Sequence, residues 1–336
     1  MVKATGWKIA LGCLGLVAAS YVALKESRRR FQNCSVVISG GSRGLGLELA
    51  RQFVKEGARL ALLARDSEEL ARAERMLGDS ADVLSIACDL RSKDQIQSAI
   101  SQVVEAFGGV DVLVNCAGII QVGPFELMDQ EDFDEAMDVH LWAPLHLIIA
   151  TLPYLKKSRL PRVINISSIG GRISMPHLLP YCTSKFALAG LSEGLRSELA
   201  RHGIYVTTVY PGLMRTGSHI NALFKGKQKR EYAWFSLGAA APFLSIDSTT
   251  AAEKIVRAAR RGKAHLMYPL IARTVDIKKT LCPNLFALAL TVVNRLLPGP
   301  PHKDTGLRRG RDSQSWISPS PLTALGDRAA RRNNEL

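Results

Sequence analysis

Residues 34–50 read CSVVISGGSRGLGLELA. Cys34–Ser39 is a short apolar run rich in β-branched residues, and a helical pattern follows from Gly44 to Glu56. Gly40, Gly44 and Gly46 fall between the two. At a strand–turn–helix junction, glycines let the backbone turn tightly and approach a pyrophosphate, whose charge then sits at a helix N-terminus. A glycine-rich turn is weak evidence alone; this one occupies the position that the chemistry requires.

The alternation continues downstream. RLALLA at 59–64 reads as a second strand, followed by a charged helix over Ser67–Leu77. DVLSIA at 82–87 is a third strand, with a helix over Lys93–Phe107, and DVLVN at 111–115 a fourth. A long helix over roughly 130–156 precedes the strand RVINIS at 162–167. A helix over Tyr181–Arg201 and the strand IYVTTVY at 204–210 follow, then a helix from 251 and a last strand HLMYP at 265–269. Strands alternating with helices predict an α/β fold with a parallel sheet, helices on both faces and right-handed crossovers.

The end of the second strand bears on the cofactor. A site that takes NAD usually has an acidic residue there to bind the ribose hydroxyls. Here the strand ends in Ala64 and Arg65, and Arg43 lies inside the glycine loop. Two guanidinium groups at the adenosine ribose suit a 2′-phosphate, which favours NADP(H). Asp66 as an acidic ribose partner is the competing reading.

A second constellation lies in NISSIGGRISMPHLLPYCTSK, residues 165–185. Tyr181 and Lys185 are four apart and share a helix face. Ser168 follows the fifth strand, so strand end, loop and helix can bring all three to the carboxyl edge of the sheet, where doubly wound folds bind ligands. A free tyrosine has a pKa near 10, and a neighbouring ammonium is expected to lower it. That makes Tyr181 a candidate general acid–base and Ser168 a candidate holder of a carbonyl oxygen as charge develops on it.

SGGSRGLG at 39–46, NCAG at 115–118, Ser168, YCTSK at 181–185 and PGLMRT at 211–216 together resemble the short-chain dehydrogenase/reductase family, in order and over about residues 33–270. The resemblance implies a Rossmann-type doubly wound sheet of about seven strands. It implies Tyr181 as proton donor or acceptor, Lys185 as binder of the nicotinamide ribose, and Ser168 as positioner of the substrate oxygen. It implies a cofactor surface begun by Gly40, Ser42, Arg43, Gly44, Leu45 and Gly46, with Arg65 beside it. Asp89 and Leu90 would adjoin the adenine. Asn115, Ala117 and Gly118 would line the sheet centre, and Pro211, Gly212 and Thr216 the nicotinamide side, together with Tyr181 and Lys185.

The sequence departs from the family at three places. Ser39 replaces a threonine, Cys116 replaces an asparagine, and His140 stands where the family has a catalytic asparagine. In MDVHLWAP at 137–144, the N–H that would bond the carbonyl of residue 140 in an α-helix belongs to residue 144, which is Pro144. The helix is therefore expected to bend there and free the His140 carbonyl to hold a relay water near Lys185. His140 is accordingly counted in the catalytic set, with a satisfied packing histidine as the alternative.

The flanking segments carry other signals. Residues 9–24, IALGCLGLVAASYVAL, are apolar and uncharged and end in KESRRR. Such a run spans roughly 24 Å as a helix at ~1.5 Å per residue. It reads as a single-pass N-terminal membrane helix that leaves the catalytic domain on the cytoplasmic side, because the heavier positive charge follows it. A signal peptide and a core helix are the competing readings. The expected organisation is an anchor and basic stop at 1–30, the main domain at 31–270 with an irregular substrate loop at 212–247, an apolar segment at 271–299, and a disordered basic tail at 300–336.

The formal net charge is +14, and the basic residues cluster at 25–30, 225–230 and 308–332. No base-stacking aromatics interleave the tail arginines, which argues against nucleic acid; anionic lipid fits the first cluster better. The six cysteines are scattered with no CxxC, so no metal site is expected. Two function classes follow: an NADPH-dependent reductase acting on a lipophilic ketone or aldehyde (a 3-keto lipid, fatty aldehyde, sterol or retinoid), homo-oligomeric through its helices; or a non-catalytic NADP-binding membrane scaffold or redox sensor.

Overall fold

A computed structural model describes residues 31–241, 245–301, 306–315, 318, 320–321 and 323–336. The anchor expected over 9–24 lies outside the described residues. Among the described residues no helix is long and apolar enough to cross a membrane.

Seven parallel strands form the central sheet: β1 Ser35–Ser39, β2 Arg59–Ala64, β3 Val83–Ala87, β4 Val112–Asn115, β5 Arg162–Ile166, β6 Tyr205–Pro211 and β7 His265–Tyr268. Their order is β7-β6-β5-β4-β1-β2-β3. The chain order reverses between β1 and β4, which opens a crevice at their carboxyl ends. All five residues of β1 are buried, as a strand covered on both faces demands. Val36 and Ile38 belong to one core with α1 (Gly44–Lys55), and Val37 belongs to the other with α3 (Lys93–Phe107).

The helix α2 (Ser67–Leu77) lies between β2 and β3. Its N-cap is Asp66, whose carboxylate accepts the N–H groups of Glu68 and Glu69, each at 2.9 Å. The expected helix over 130–156 is α4 (Gln130–Met137) and α5 (Ala143–Leu155) joined by a π-turn at Asp138–Trp142. There the Ala143 N–H bonds the Asp138 carbonyl, five residues back. The interruption falls where Pro144 removes a donor from the α-helical ladder. The next helix, α6, runs over Leu179–Leu199.

Two expectations are corrected. The stretch 212–247 is not irregular throughout: it contains α7, Gln228–Ala240. Its basic start masked a burial signal, because Tyr232 and Phe235 pack with Phe224 beneath it. After α8 (Ser248–Arg260), the apolar segment forms two helices, α9 (Leu270–Leu281) and α10 (Pro283–Leu296), divided at Cys282. Pro283 starts the second helix, a position where its missing N–H costs nothing. The tail is not disordered in its described part. Arg308–Arg309 pair with Leu223–Phe224, and α11 covers Ala324–Arg332. Asn333, Asn334 and Glu335 are buried beyond it. An arginine- and serine-rich composition reads as disorder because it lacks apolar residues; here long-range hydrogen bonds order it instead.

Candidate active site

The glycine loop joins β1 to α1 at the crevice. Gly40 has φ +71°, and a Cβ there would stand 2.6 Å from Ala117 Cα. A Cβ on Gly46 would collide with the Gly40 carbonyl. The loop is thus closed on itself, and its last glycines open the N-terminus of α1. Leu45 and Ser42 are buried within this turn.

Arg43 is directed towards α2. Its Nη1 lies 3.1 Å from Glu69 Oε1, and Ser42 Oγ donates to the other Glu69 oxygen at 3.1 Å. Arg65 is exposed at the end of β2. Asp66 caps α2 through Oδ1 alone. Asp89, after β3, pairs with Arg91 at 2.7 Å, which holds its carboxyl below the usual range. Leu90 beside it is buried.

At the sheet centre Asn115 donates to Asn165 Oδ1 at 2.7 Å, and Asn165 donates to Ser192 Oγ at 2.9 Å. Ser192 in turn meets Thr208 Oγ1 at 2.7 Å. This buried relay ties β4, β5, α6 and β6 together just below the crevice. On the far side, the Gly212 N–H donates to the Tyr268 carbonyl at 2.7 Å, so Pro211 and Gly212 continue β6 along β7. Thr216 Oγ1 accepts the Ser218 N–H at 3.2 Å.

Ser168, Tyr181 and Lys185 come together as the spacing requires. Ser168 follows β5 and its Oγ accepts the Gly170 N–H at 3.0 Å. Its hydroxyl is also near enough to the Tyr181 side chain to lower the phenol's pKa. Lys185 Nζ lies 5.8 Å from the Tyr181 ring centre and donates to the Ile166 carbonyl at 2.9 Å. The electrostatics differ from expectation. Burial pushes Tyr181 up to about 12, against a smaller lowering by the Ser168 hydroxyl. Burial also pushes Lys185 down to about 8. Desolvation is the largest cause of both shifts. The upward shift favours the neutral O–H form of Tyr181.

His140 is fully buried among these groups. Its ring stands edge-on to Tyr181, with centres 5.5 Å apart. Nε2 accepts the Ile119 N–H at 3.1 Å, and Nδ1 is 2.7 Å from Ser184 Oγ. Because the Ser184 hydroxyl donates to the Tyr181 carbonyl at 2.9 Å, its oxygen accepts from Nδ1–H. One neutral tautomer satisfies every partner. Burial first, then the Lys185 ammonium, holds the imidazole well below its ordinary value. A Cβ on Gly118 would stand 3.0 Å from His140 Nε2 and 3.8 Å from Lys185 Nζ, so this glycine keeps the two groups close. Sequence reading gave the weight to the His140 carbonyl. The structure puts the imidazole to use as well, bracing the β4 loop against α6. It missed Ser184, whose signal was its position one residue before Lys185.

Residues 35–224 match the model of the short chain dehydrogenase family. The chain is 36% identical to a 3-dehydrosphinganine reductase of Danio rerio over 188 residues, 54% of this chain and 57% of that protein. It is 35% identical to dehydrogenase/reductase SDR family member 7B of Bos taurus over 222 residues, 63% of this chain and 68% of that one. It is 32% identical to 11-beta-hydroxysteroid dehydrogenase A of Sesamum indicum over 279 residues, 80% and 78% of the two chains. The match thus spans little more than half the length of the first of these relatives. A short-chain dehydrogenase from Streptomyces avermitilis superposes with a TM-score of 0.66 at 28% identity, covering 78% of this chain and 97% of that one. The glycine loop, the Ser168–Tyr181–Lys185 cluster and the family match over more than half the chain converge: this chain belongs to the short chain dehydrogenase family.

Proposed function

We propose that the protein is an NADPH-dependent reductase that converts a ketone or aldehyde of a lipophilic molecule to the alcohol. The observation that carries this reading is the Ser168–Tyr181–Lys185 cluster at the carboxyl edge of the sheet, with Ser168 and Lys185 buried and Tyr181 half-buried between them. The glycine loop, the N-terminus of α1 and the cations Arg43 and Arg65 fit a dinucleotide with a 2′-phosphate. A solved relative at 24% identity, an L-sorbose reductase from Gluconobacter frateurii, was complexed with NADPH and L-sorbose. When bound, such a cofactor supplies a hydride. Ser168 accepts the task of holding the substrate oxygen, and Tyr181 donates its proton to that oxygen as negative charge develops. Lys185, still largely an ammonium near neutral pH, stabilises the tyrosinate left behind. His140, through Ser184 and Ile119, keeps α6 and the β4 loop in register around them.

The lipophilic substrate class rests on two further supports. One is the pair of reductase and dehydrogenase relatives whose names refer to a sphinganine and a steroid. The other is α9 and α10, which carry exposed Ile277, Leu281, Leu285, Leu288, Val292 and Leu296. On α10, positions 285, 288, 292 and 296 form one helix face. The pair adjoins the site: Asp276 bonds Arg172 at 3.2 Å, and Lys279 lies 5.2 Å from the Phe186 ring. With the apolar run at 9–24, this face suits a catalytic domain anchored to, and resting on, the cytoplasmic side of a membrane. The test is NADPH oxidation by the detergent-solubilised full chain with 3-keto lipids, long-chain aldehydes and ketosteroids. Tyr181→Phe is expected to lower kcat by at least 100-fold while NADPH binding persists. Tight NADPH binding with no turnover of any substrate, and no effect of Tyr181→Phe, would favour the scaffold reading instead.

A further inference from the structure

The phosphate loop is in contact with residues distant in sequence. The Gly44 N–H, at the head of α1, donates to the Asn333 carbonyl at 2.9 Å. The Asn334 amide donates to the Ser42 carbonyl at 2.9 Å and the Glu69 carbonyl at 3.0 Å, while its oxygen accepts from Arg72 Nε at 2.9 Å. The Glu335 carboxylate lies 3.6 Å from Arg43 Nε and accepts from Asn221 Nδ2 at 2.7 Å. Its Oε1 would be 2.8 Å from a Cβ on Gly44. Asn333 reaches the other bank of the crevice, donating to the Thr216 carbonyl at 3.0 Å and to Ser248 Oγ at 3.1 Å. The three side chains are 0%, 6% and 5% exposed.

These contacts use the groups that a dinucleotide would need. The Gly44 N–H is one of the unpaired donors of the α1 N-terminus that favour an anion. Arg43 is the guanidinium best placed for a 2′-phosphate, and here it faces two carboxylates, Glu69 and Glu335. Thr216 is on the nicotinamide side of the crevice. A peptide carbonyl, an amide and a carboxylate therefore bridge the cradle from Ser42 to Thr216. The supporting helix α11 is fitted closely, since a Cβ on Gly217 would overlap the backbone of Ala330.

We propose that residues 333–335 are an intramolecular occupant of the dinucleotide cradle, which NADP(H) displaces in order to bind. The proposal rests on the reductase reading for the identity of the ligand. The segment competes for the same donors, so it sets the apparent affinity: the observed Kd is the intrinsic one divided by the fraction of chains with the segment released. It also keeps the Gly44 donor and the Arg43 charge satisfied until cofactor arrives.

The test is an NADPH titration, followed by nicotinamide fluorescence, of the full chain and its Asn334→Ala and Asn334→Ala/Glu335→Ala variants. The double variant is expected to bind NADPH at least tenfold more tightly than the unaltered chain. Equal affinities overturn the proposal and leave the reductase reading intact. Weaker binding by the variants also overturns it, because the segment would then be a clamp over bound cofactor. If no form binds NADPH, the dinucleotide reading itself fails and the proposal with it. Hydrogen exchange on the unaltered chain gives a second readout that needs no variant. Amides at 330–336 should be protected without NADPH and lose protection at saturating NADPH; retained or increased protection overturns the proposal.

Discussion

Replacing His140 with alanine should be costly to the fold, and the cost should depend on pH in a calculable way. The imidazole is fully buried and bonded at both nitrogens, to the Ile119 N–H and to Ser184 Oγ. Truncation leaves the Ile119 N–H without its acceptor, which costs about 1–3 kcal/mol when such a group is buried. It also removes a ring's worth of packing, worth about 2 kcal/mol or more in a site that cannot collapse. His140→Ala should therefore lose about 3–5 kcal/mol at pH 7.5. His140→Asn, whose amide oxygen can still accept from Ile119, should lose about 1 kcal/mol. The pH dependence follows from burial, which holds the folded imidazole well below its ordinary value. Below about pH 6.5 the unfolded chain takes up a proton that the folded chain refuses, so the native state loses about 1.4 kcal/mol per pH unit. Neither variant has that group. The stability gap between the unaltered chain and His140→Ala should thus narrow by roughly 1 kcal/mol between pH 7.5 and 5.5. Urea denaturation of the full chain in mild detergent at the two pH values measures both quantities. A loss under 1 kcal/mol, or a gap that does not change with pH, would refute the assignment of a buried neutral imidazole bonded on both sides.

Two further outcomes follow from the cofactor bank and the apolar face. Arg43→Ala should raise the KM for NADPH by about 10- to 100-fold, the worth of one or two charge-assisted hydrogen bonds, while leaving any NADH-supported rate nearly unchanged. Steady-state kinetics with both cofactors checks this, and equal losses with the two would remove Arg43 from the 2′-phosphate site. Leu288→Lys/Leu296→Lys replaces two exposed residues of one α10 face, so thermal stability should hold within about 1 kcal/mol. The KM for a vesicle-embedded substrate should rise while that for a short, soluble carbonyl compound stays the same; equal KM changes for the two would argue against membrane contact at this face.

The parts legible in sequence were those whose physics is local. Strand periodicity and the glycines around Gly40–Gly46 each follow from a few adjacent residues, and they placed the sheet and its crevice correctly. The Ser168–Tyr181–Lys185 spacing carried the cluster for the same reason. Three things were not legible. The bonding of His140 to Ser184 depends on how two helices meet, so sequence reading saw the missing Pro144 donor and not the ring's partners. Helix α7 was hidden by its basic start, since Tyr232 and Phe235 find their burial only against Phe224. Residues 333–335 are polar, and their order comes from donors and acceptors nearly 300 positions away, which no local composition can report.

The hydrogen-bonded file Asn115–Asn165–Ser192–Thr208 has a mechanical consequence. Four polar side chains, all buried, join the three strands β4, β5 and β6 and the helix that carries Tyr181 and Lys185. Spreading β4 from β5 or lifting α6 would strand several polar groups in a dry interior at once, each at a cost of about 1–3 kcal/mol. The floor of the crevice is thus a rigid keel. Admission of cofactor and substrate is then left to the gunwales: α7, the α9–α10 pair and the segment beyond α11.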